Sequence, residues 1–142
     1  MTDKILIVAD DSDSSIKAIK YGYSLADDLG AEVTLLYVIE TAWTMGDVDA
    51  GIFADDATKE SEESAKNFLT RMKSEYGAGI KTNLLIPVGD VRKIVLETAK
   101  SVEAKMIVTG THGRTGFNKL LQGSISESII HHSGVPVCVV PK

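Results

Sequence analysis

Hydrophobic and polar positions along this chain alternate between short apolar runs and longer amphipathic stretches. Strands are predicted over residues 5–8, 33–39, 81–86, 105–109 and 136–140, each of which contains several apolar residues. A helix predicted from about residue 14 to residue 29 carries apolar side chains at helical spacing, namely Ile16, Ile19, Tyr23 and Ala26. Apolar strands separated by amphipathic helices are typical of βαβ units and a parallel sheet.

Glycines and capping residues predict where these helices begin and end. Gly30 ends the first helix, Gly77 and Gly79 close the second, and Asp90 is placed to cap the third. Residues 40–56 form the least regular region, because glycines and acidic residues are scattered through them.

The order of the elements predicts an α/β fold. Because parallel crossovers are right-handed, five strands most economically form an open doubly wound sheet in the order 3-2-1-4-5, with helices on both faces. The winding reverses between strands 1 and 4, and ligands bind beyond the carboxyl ends of strands at such a switch point. Those ends are Asp10 and Gly110, so we expect both to face one crevice. With no internal repeat or linker, residues 1–142 are expected to form one domain.

A glycine motif follows the fourth strand. It reads Gly110-Thr111-His112-Gly113, then nine residues, then Gly123-Ser124, and a predicted helix over 125–132 comes next. Glycines at a strand-to-helix junction let backbone N–H groups approach a ligand, and the helix N-terminus adds unpaired donors. The motif therefore predicts an anion site, most often for phosphate. The alternative is that the glycines serve tight turns alone.

Composition narrows the classes of partner. The chain has 15 Lys and Arg against 20 Asp and Glu, a net charge of −5, and no basic cluster that would follow a nucleic-acid backbone. No apolar run approaches the length that spans a bilayer. Cys138 is the single cysteine, which excludes an internal disulfide. We expect a cytoplasmic protein that binds neither nucleic acid nor membrane.

Candidate catalytic groups are scarce. His112 is the one histidine placed for ligand contact, and neither a nucleophile nor an orienting carboxylate flanks it in sequence. His131 and His132 are adjacent, so on a helix they point about 100° apart and cannot share a metal. We expect no enzyme, and the alternative is slow hydrolysis of ATP on a related fold.

Several segments together resemble the nucleotide-binding subgroup of the universal stress protein family. They are the opening Ile5-Leu6-Ile7-Val8-Ala9-Asp10, the turn Val88-Gly89-Asp90, the glycine motif and the closing Pro136-Val137-Cys138-Val139-Val140. The resemblance implies a five-stranded parallel fold, binding of ATP or the related ADP or AMP, and frequent dimerisation. It also implies a role in stress responses rather than dedicated catalysis.

The resemblance implies where adenosine would lie. It places Asp10 against the ribose, where a carboxylate accepts hydrogen bonds from both hydroxyls. Ala9 and Val38 would form walls around the adenine. The alternative for Asp10 is a helix cap or turn cap.

The same resemblance assigns the phosphates to the glycine motif. Gly110 and Gly113 would line the ribose and phosphates, and Arg114 either reaches the terminal phosphates or stays in solvent. The N–H donors would come from Gly123, Ser124 and Ile125. Ser124 is equally suited to cap the last helix.

The acids after Asp10 depart from the family pattern, in which many members have a small or apolar residue directly after this aspartate. Here Asp11 and Asp13 follow it, and acids near a polyphosphate repel it. In the alternative that we prefer, both carboxylates point to solvent and stabilise the positive N-terminal end of the first helix. In the other, a divalent cation lies between them and the phosphates. Mg²⁺ or Mn²⁺ is in either case a candidate companion of the phosphates themselves.

The fifth predicted strand is an edge of the sheet. Its residues 137–140, Val-Cys-Val-Val, are apolar and uncharged, and such an edge pairs with another chain unless something covers it. Cys138 is expected to serve core or interface packing. We expect a twofold homodimer in which this strand runs antiparallel to its copy. Protein partners beyond that are not indicated by the sequence.

Overall fold

The computed structural model describes residues 2–40, 51–110 and 129–141, with the side chains of 51–58 left aside. The strands are β1 (Lys4–Ala9), β2 (Glu32–Tyr37), β3 (Ile39–Glu40), β4 (Thr82–Leu85), β5 (Val88–Gly89), β6 (Met106–Gly110) and β7 (Val137–Val140). The helices are α1 (Asp13–Leu29), α2 (Gly51–Tyr76) and α3 (Val91–Ser101), and residues 129–132 are helical too.

Five of the strands form a parallel sheet in the order β4-β2-β1-β6-β7. Strands β1, β2, β4, β6 and β7 correspond to the predicted strands 1 to 5 in chain order. The predicted order 3-2-1-4-5 is therefore confirmed. Strand β1 is central, and it is buried on both faces as a strand of an α/β sheet must be.

The two faces of the sheet carry separate apolar clusters. Ile5 and Ile7 of β1 pack on the face covered by α1 and α2. Leu6 and Val8 alternate to the opposite face, where α3 and Ile129 cover them. This period of two, with helices above and below, confirms the doubly wound α/β architecture.

Local capping fixes the ends of the helices. Ser12 is the N-cap of α1, and Gly30 ends that helix in the left-handed conformation with φ of 66°. The Asp90 carboxylate caps α3 by accepting a hydrogen bond from the Lys93 N–H at 3.0 Å. The predicted roles of Gly30 and Asp90 are confirmed.

The predicted carboxyl end of the second strand was wrong. The expected strand over 33–39 stops at Tyr37, and Ile39–Glu40 instead pair in parallel with Val88–Gly89 in a separate two-stranded sheet. The Ile39 N–H donates to the Pro87 carbonyl at 2.9 Å. The Val88-Gly89 turn is thus a short extended segment that joins the ends of β2 and β4.

Helix α2 also begins earlier than expected. Residues 51–56 were assigned to an irregular region because of their glycine and acids, yet they are helical. Most residues between 51 and 64 are alanine, acids and lysine, and several of these have high helix propensity. The side chains of 59–64 are exposed, so propensity extends α2 beyond the part that its apolar face anchors.

Candidate functional site

The carboxyl ends of β1 and β6 lie side by side at the point where the winding reverses. The two strands pair in parallel, with Ile7 opposite Val108. Asp10 directly follows β1, and Gly110 ends β6. Asp10 is 5% exposed and Gly110 is buried. The structure therefore brings these two predicted site residues to one edge of the sheet, as expected of a switch point.

Hydrogen bonds hold Asp10 at the start of α1. Its Oδ1 accepts the Ser12 N–H at 2.8 Å, and its own N–H donates to Ser15 Oγ at 2.7 Å. Ser12 Oγ in turn accepts the Ser15 N–H at 3.2 Å. Asp10 thus acts as a turn cap, the alternative weighed from the sequence, and its carboxylate sits at the first turn of a helix where negative charge is favourable.

Gly110 is required by packing against the start of α1. A Cβ at this position would lie 2.8 Å from Ser14 Oγ and 2.9 Å from the Ser14 carbonyl oxygen. The backbone of α1 therefore approaches the end of β6 more closely than a side chain permits. Sequence analysis missed this contact, because it depends on a helix that is almost a hundred residues away in the chain.

Replacing Gly110 with alanine is expected to destabilise the protein by about 1–3 kcal/mol, the usual cost of overpacking. The first turn of α1 must move, since one of the two close atoms belongs to the backbone. Chemical denaturation of both proteins measures the change. The double variant Ser14→Ala, Gly110→Ala should recover only part of the loss, because the Ser14 carbonyl remains. An unaltered unfolding free energy for Gly110→Ala would contradict this packing.

Ser14 and Ser15 are buried polar residues that sequence analysis did not single out. The signal was present as three serines in residues 12–15, at the start of a helix. Serines there are ordinary caps, so the pattern alone does not separate a capping role from a role in the crevice.

Ala9 and Val38 are both buried, and they belong to different clusters. Ala9 packs with the core beneath α1 and α2, and Val38 packs with the core beneath α3. Val38 lies between β2 and β3, next to the point where the small sheet begins. Both remain predicted neighbours of an adenine.

The other predicted site residues lie outside the described residues. They are Gly113, Arg114, Gly123, Ser124 and Ile125, together with His112. Their assigned contacts with ribose and phosphate stay predictions.

Asp11 and Asp13 are both exposed, and Asp13 is in the first turn of α1. This placement agrees with the preferred alternative, in which they favour the positive end of the helix dipole. Within residues 2–40, 51–110 and 129–141 no three His, Cys, Asp or Glu side chains are grouped to hold a metal ion. No helix of those ranges is both long and apolar enough to cross a bilayer.

Nearly the whole chain matches a known protein family. The family model described as the Universal stress protein family matches residues 1–141, so the chain belongs to the universal stress protein family. Universal stress protein MJ0531 of Methanocaldococcus jannaschii is 33% identical over 143 residues, which cover 98% of this chain and 82% of that relative.

Solved structures share the whole fold. Universal stress protein UspA from Lactobacillus plantarum superposes with a TM-score of 0.84 at 20% identity, covering 97% of both chains. The structure of MJ0577, a universal stress protein of Methanocaldococcus jannaschii, superposes with a TM-score of 0.83 at 29% identity. That similarity covers 100% of this chain and 97% of the other.

Proposed function

We propose that this chain is an adenine-nucleotide-binding protein of the stress response, in the ATP-binding subgroup of its family, with ATP at the crevice between β1 and β6. The observation that carries the proposal is that a buried carboxylate and a glycine lie next to each other at the switch point. Asp10 and Gly110 end adjacent parallel strands, and the glycine motif continues from Gly110 toward the last helix. This combination suits a ligand with hydroxyls at one end and phosphates at the other.

Relatives of the same fold support adenosine as the nucleoside. A universal stress protein has been solved in complex with cAMP, one from Archaeoglobus fulgidus in complex with dAMP, and one from Arabidopsis thaliana with AMP bound. Their identities to this chain are 20%, 16% and 16%, so they have the fold in common with it. That this chain also binds an adenine nucleotide is part of the proposal.

In the proposed complex each part of the nucleotide meets a different group. The Asp10 carboxylate accepts hydrogen bonds from the ribose hydroxyls, and Ala9 and Val38 border the adenine. The phosphates lie against Gly110 and against residues of the motif, namely Gly113, Arg114, Gly123, Ser124 and Ile125. Mg²⁺ or Mn²⁺ would accompany the phosphates and reduce their repulsion from the exposed acids after β1.

Calorimetric titration of the purified chain with ATP tests the proposal, with GTP as the comparison for the base. We expect ATP to bind and to stabilise the fold by about 2.7 kcal/mol at a hundredfold excess over its dissociation constant. Titrations with ADP and AMP then identify the preferred nucleotide. Absence of heat and of any thermal shift with all three adenine nucleotides would refute the proposal.

Binding without efficient catalysis is part of the same proposal. In the sequence neither a nucleophile nor an orienting carboxylate flanks His112, the one histidine placed for ligand contact. We expect ATP turnover well below the roughly 1–10³ s⁻¹ of ordinary enzymes. A steady-state phosphate-release assay measures it. Turnover above about 1 s⁻¹ that disappears on changing Asp10 or His112 would favour the alternative, an ATP-hydrolysing enzyme.

We also propose a homodimer through β7, in the cytoplasm. Among the described strands β7 pairs with β6 alone, so its other edge faces away from the sheet. Val139 on this strand and Ile130 on the adjoining helical turn are exposed apolar residues. Burial raises the pKa of the Cys138 thiol, which keeps it protonated and makes it a packing group rather than a nucleophile.

A further inference from the structure

We propose that the outer edge formed by β4 and β5, which we call the β4–β5 edge, is a docking site for an extended acidic segment of another protein. That segment would pair with the edge as an additional β-strand. The β4–β5 edge lies on the opposite side of the sheet from β7, so it stays accessible when β7 pairs with a second copy. The proposal concerns a protein partner and does not depend on the proposed nucleotide.

Strands β4 and β5 form one continuous edge in a single register. Leu36 lies opposite Leu85, and Ile39 lies opposite Val88. These two pairs are three residues apart on both sides, so no residue is inserted where one sheet gives way to the other. In the described ranges β4 pairs with β2 alone and β5 with β3 alone. Residues 82–89 therefore present the same outer side along their whole length.

Alternate residues of this edge direct their backbone groups away from the sheet. The Val33 N–H donates to the Lys81 carbonyl at 2.9 Å, and the Ile39 N–H donates to the Pro87 carbonyl at 2.9 Å. In a parallel ladder the N–H and C=O of one residue point to the same side, and successive residues alternate. Odd-numbered residues therefore face β2 and β3, and the even-numbered residues from 82 to 88 face outward.

Pro87 lies at an inward position, and this placement leaves the outer side intact. A proline usually protects an edge strand by removing an N–H that would otherwise face solvent. Here the missing N–H belongs to the inward set, which accounts for the interruption between β4 and β5. The outward residues Thr82, Leu84, Ile86 and Val88 all keep their N–H donors. The edge can therefore exchange hydrogen bonds with an added strand.

Basic side chains surround this edge in a chain that is acidic overall. Residues 65–95 comprise the second half of α2, β4, β5 and the start of α3, and α2 packs against β4. They carry six basic and two acidic residues, whereas the whole chain carries 15 and 20. Glu32 and Glu40 on the neighbouring strands reduce this excess without cancelling it. The six basic residues are Lys66, Arg71, Lys73, Lys81, Arg92 and Lys93.

This distribution of charge determines which strand fits. Two copies of the edge would bring basic residues together, and like charges placed opposite each other disfavour pairing. An acidic strand would instead place carboxylates near Lys81 at one end and near Lys93 at the other, both of which are exposed. Leu85 and Val88, which are 37% and 39% exposed, offer apolar contacts between them. The edge thus fits an extended segment in which acidic and β-branched residues alternate.

Fluorescence anisotropy with labelled peptides and the full chain tests this partner. The probe is a peptide of about eight alternating glutamate and valine residues, a usual strand length. The comparison peptide alternates lysine and valine, so it keeps the valines and reverses the charge. We expect the acidic peptide to bind at least about tenfold more tightly, because several exposed charge pairs contribute together.

Methylation of the peptide backbone separates strand addition from a contact between charges alone. An added strand uses the N–H groups of every second residue, so N-methylation of the valines and N-methylation of the glutamates have different effects. We expect one of the two methylated peptides to bind about tenfold more weakly than the other. Equal binding of both would leave only an electrostatic contact and would overturn the proposal.

Neutralising two basic residues locates the site by charge. The double variant Lys81→Gln, Arg92→Gln should weaken binding of the acidic peptide about fivefold. The matched control is Lys20→Gln with Lys100→Gln, which removes the same total charge from exposed positions of α1 and α3. We expect the control to bind the acidic peptide as the parent does.

Val88→Pro tests the outward hydrogen bonds. It removes an N–H that points away from the sheet, so no donor to β3 is lost, and it should weaken binding of the acidic peptide about tenfold. If this variant does not fold, the two methylated peptides still decide the question on the parent protein.

The remaining outcomes would each overturn the proposal. If neither peptide bound the parent, the edge would not be a docking site for a strand. If the acidic peptide bound Val88→Pro and the double variant as tightly as the parent, its site would lie elsewhere. If sedimentation equilibrium showed that Val88→Pro dissociates an assembly of this chain, a second copy would occupy the edge instead.

Discussion

Replacing Gly123 with valine is expected to lower the affinity for ATP by at least about a hundredfold, equivalent to about 2.7 kcal/mol. The expectation follows from the sequence motif, in which Gly123 precedes Ser124 at the predicted start of the last helix. A phosphate held by backbone N–H groups needs close approach, and a branched side chain would occupy that space. Calorimetric titration with ATP measures the loss.

A matched glycine elsewhere controls for general damage to the fold. Gly79 has φ of 82° and precedes the amino end of β4. It therefore lies at the opposite end of the parallel strands from Gly110, which is at a carboxyl end. Gly79→Val strains the backbone and should cost about 1–3 kcal/mol of stability, while the affinity for ATP stays at its parent value. If Gly123→Val remained folded and bound ATP as tightly as the parent, the glycine motif would not be the phosphate site.

Placing lysine at Val139 is expected to weaken the proposed dimer by about 3 kcal/mol, somewhat more than a hundredfold in its dissociation constant. Val139 lies on the edge strand β7 and is 37% exposed. Pairing with a second β7 would bury this position, and an unpaired ammonium group there is costly. Sedimentation equilibrium over a micromolar concentration range measures the change.

The opposite edge of the sheet supplies the control. Leu85 lies on the edge strand β4 and is also 37% exposed, so Leu85→Lys introduces the same charge at a matched position. β4 contains Thr82 and Asn83 and follows Lys81, which makes it a poorer edge for pairing than the uncharged β7. If only Leu85→Lys dissociated the dimer, the interface would be at β4 rather than β7. If the parent protein were monomeric, the proposed dimer would be refuted.

The sheet order could be predicted because it depends on rules that act along the whole chain. Five predicted strands and right-handed crossovers were sufficient to predict the order, and the structure agrees. The pairing of Ile39–Glu40 with Val88–Gly89 could not be predicted in the same way. Two residues carry too little pattern, and the pairing depends on how the ends of β2 and β4 meet in space.

The candidate site also has a part that the sequence predicts and a part that it does not. Topology alone indicated Asp10 and Gly110, because both follow strands that meet at the switch point. Ser14 and Ser15 were missed because their importance comes from contacts with Gly110 and Asp10, and a serine at a helix start looks the same in sequence with or without such contacts.

The small sheet of β3 and β5 has a consequence for engineering this protein. It holds the chain in place at Glu40, immediately before the segment 41–50, and the apolar face of α2 holds it again from Ala65 onward. A reporter peptide inserted between these two anchors would leave the strand ends around Asp10 in place. Each doubling in the length of a flexible insert costs only about 0.6 kcal/mol of closure entropy, so we expect such an insert to leave the sheet folded.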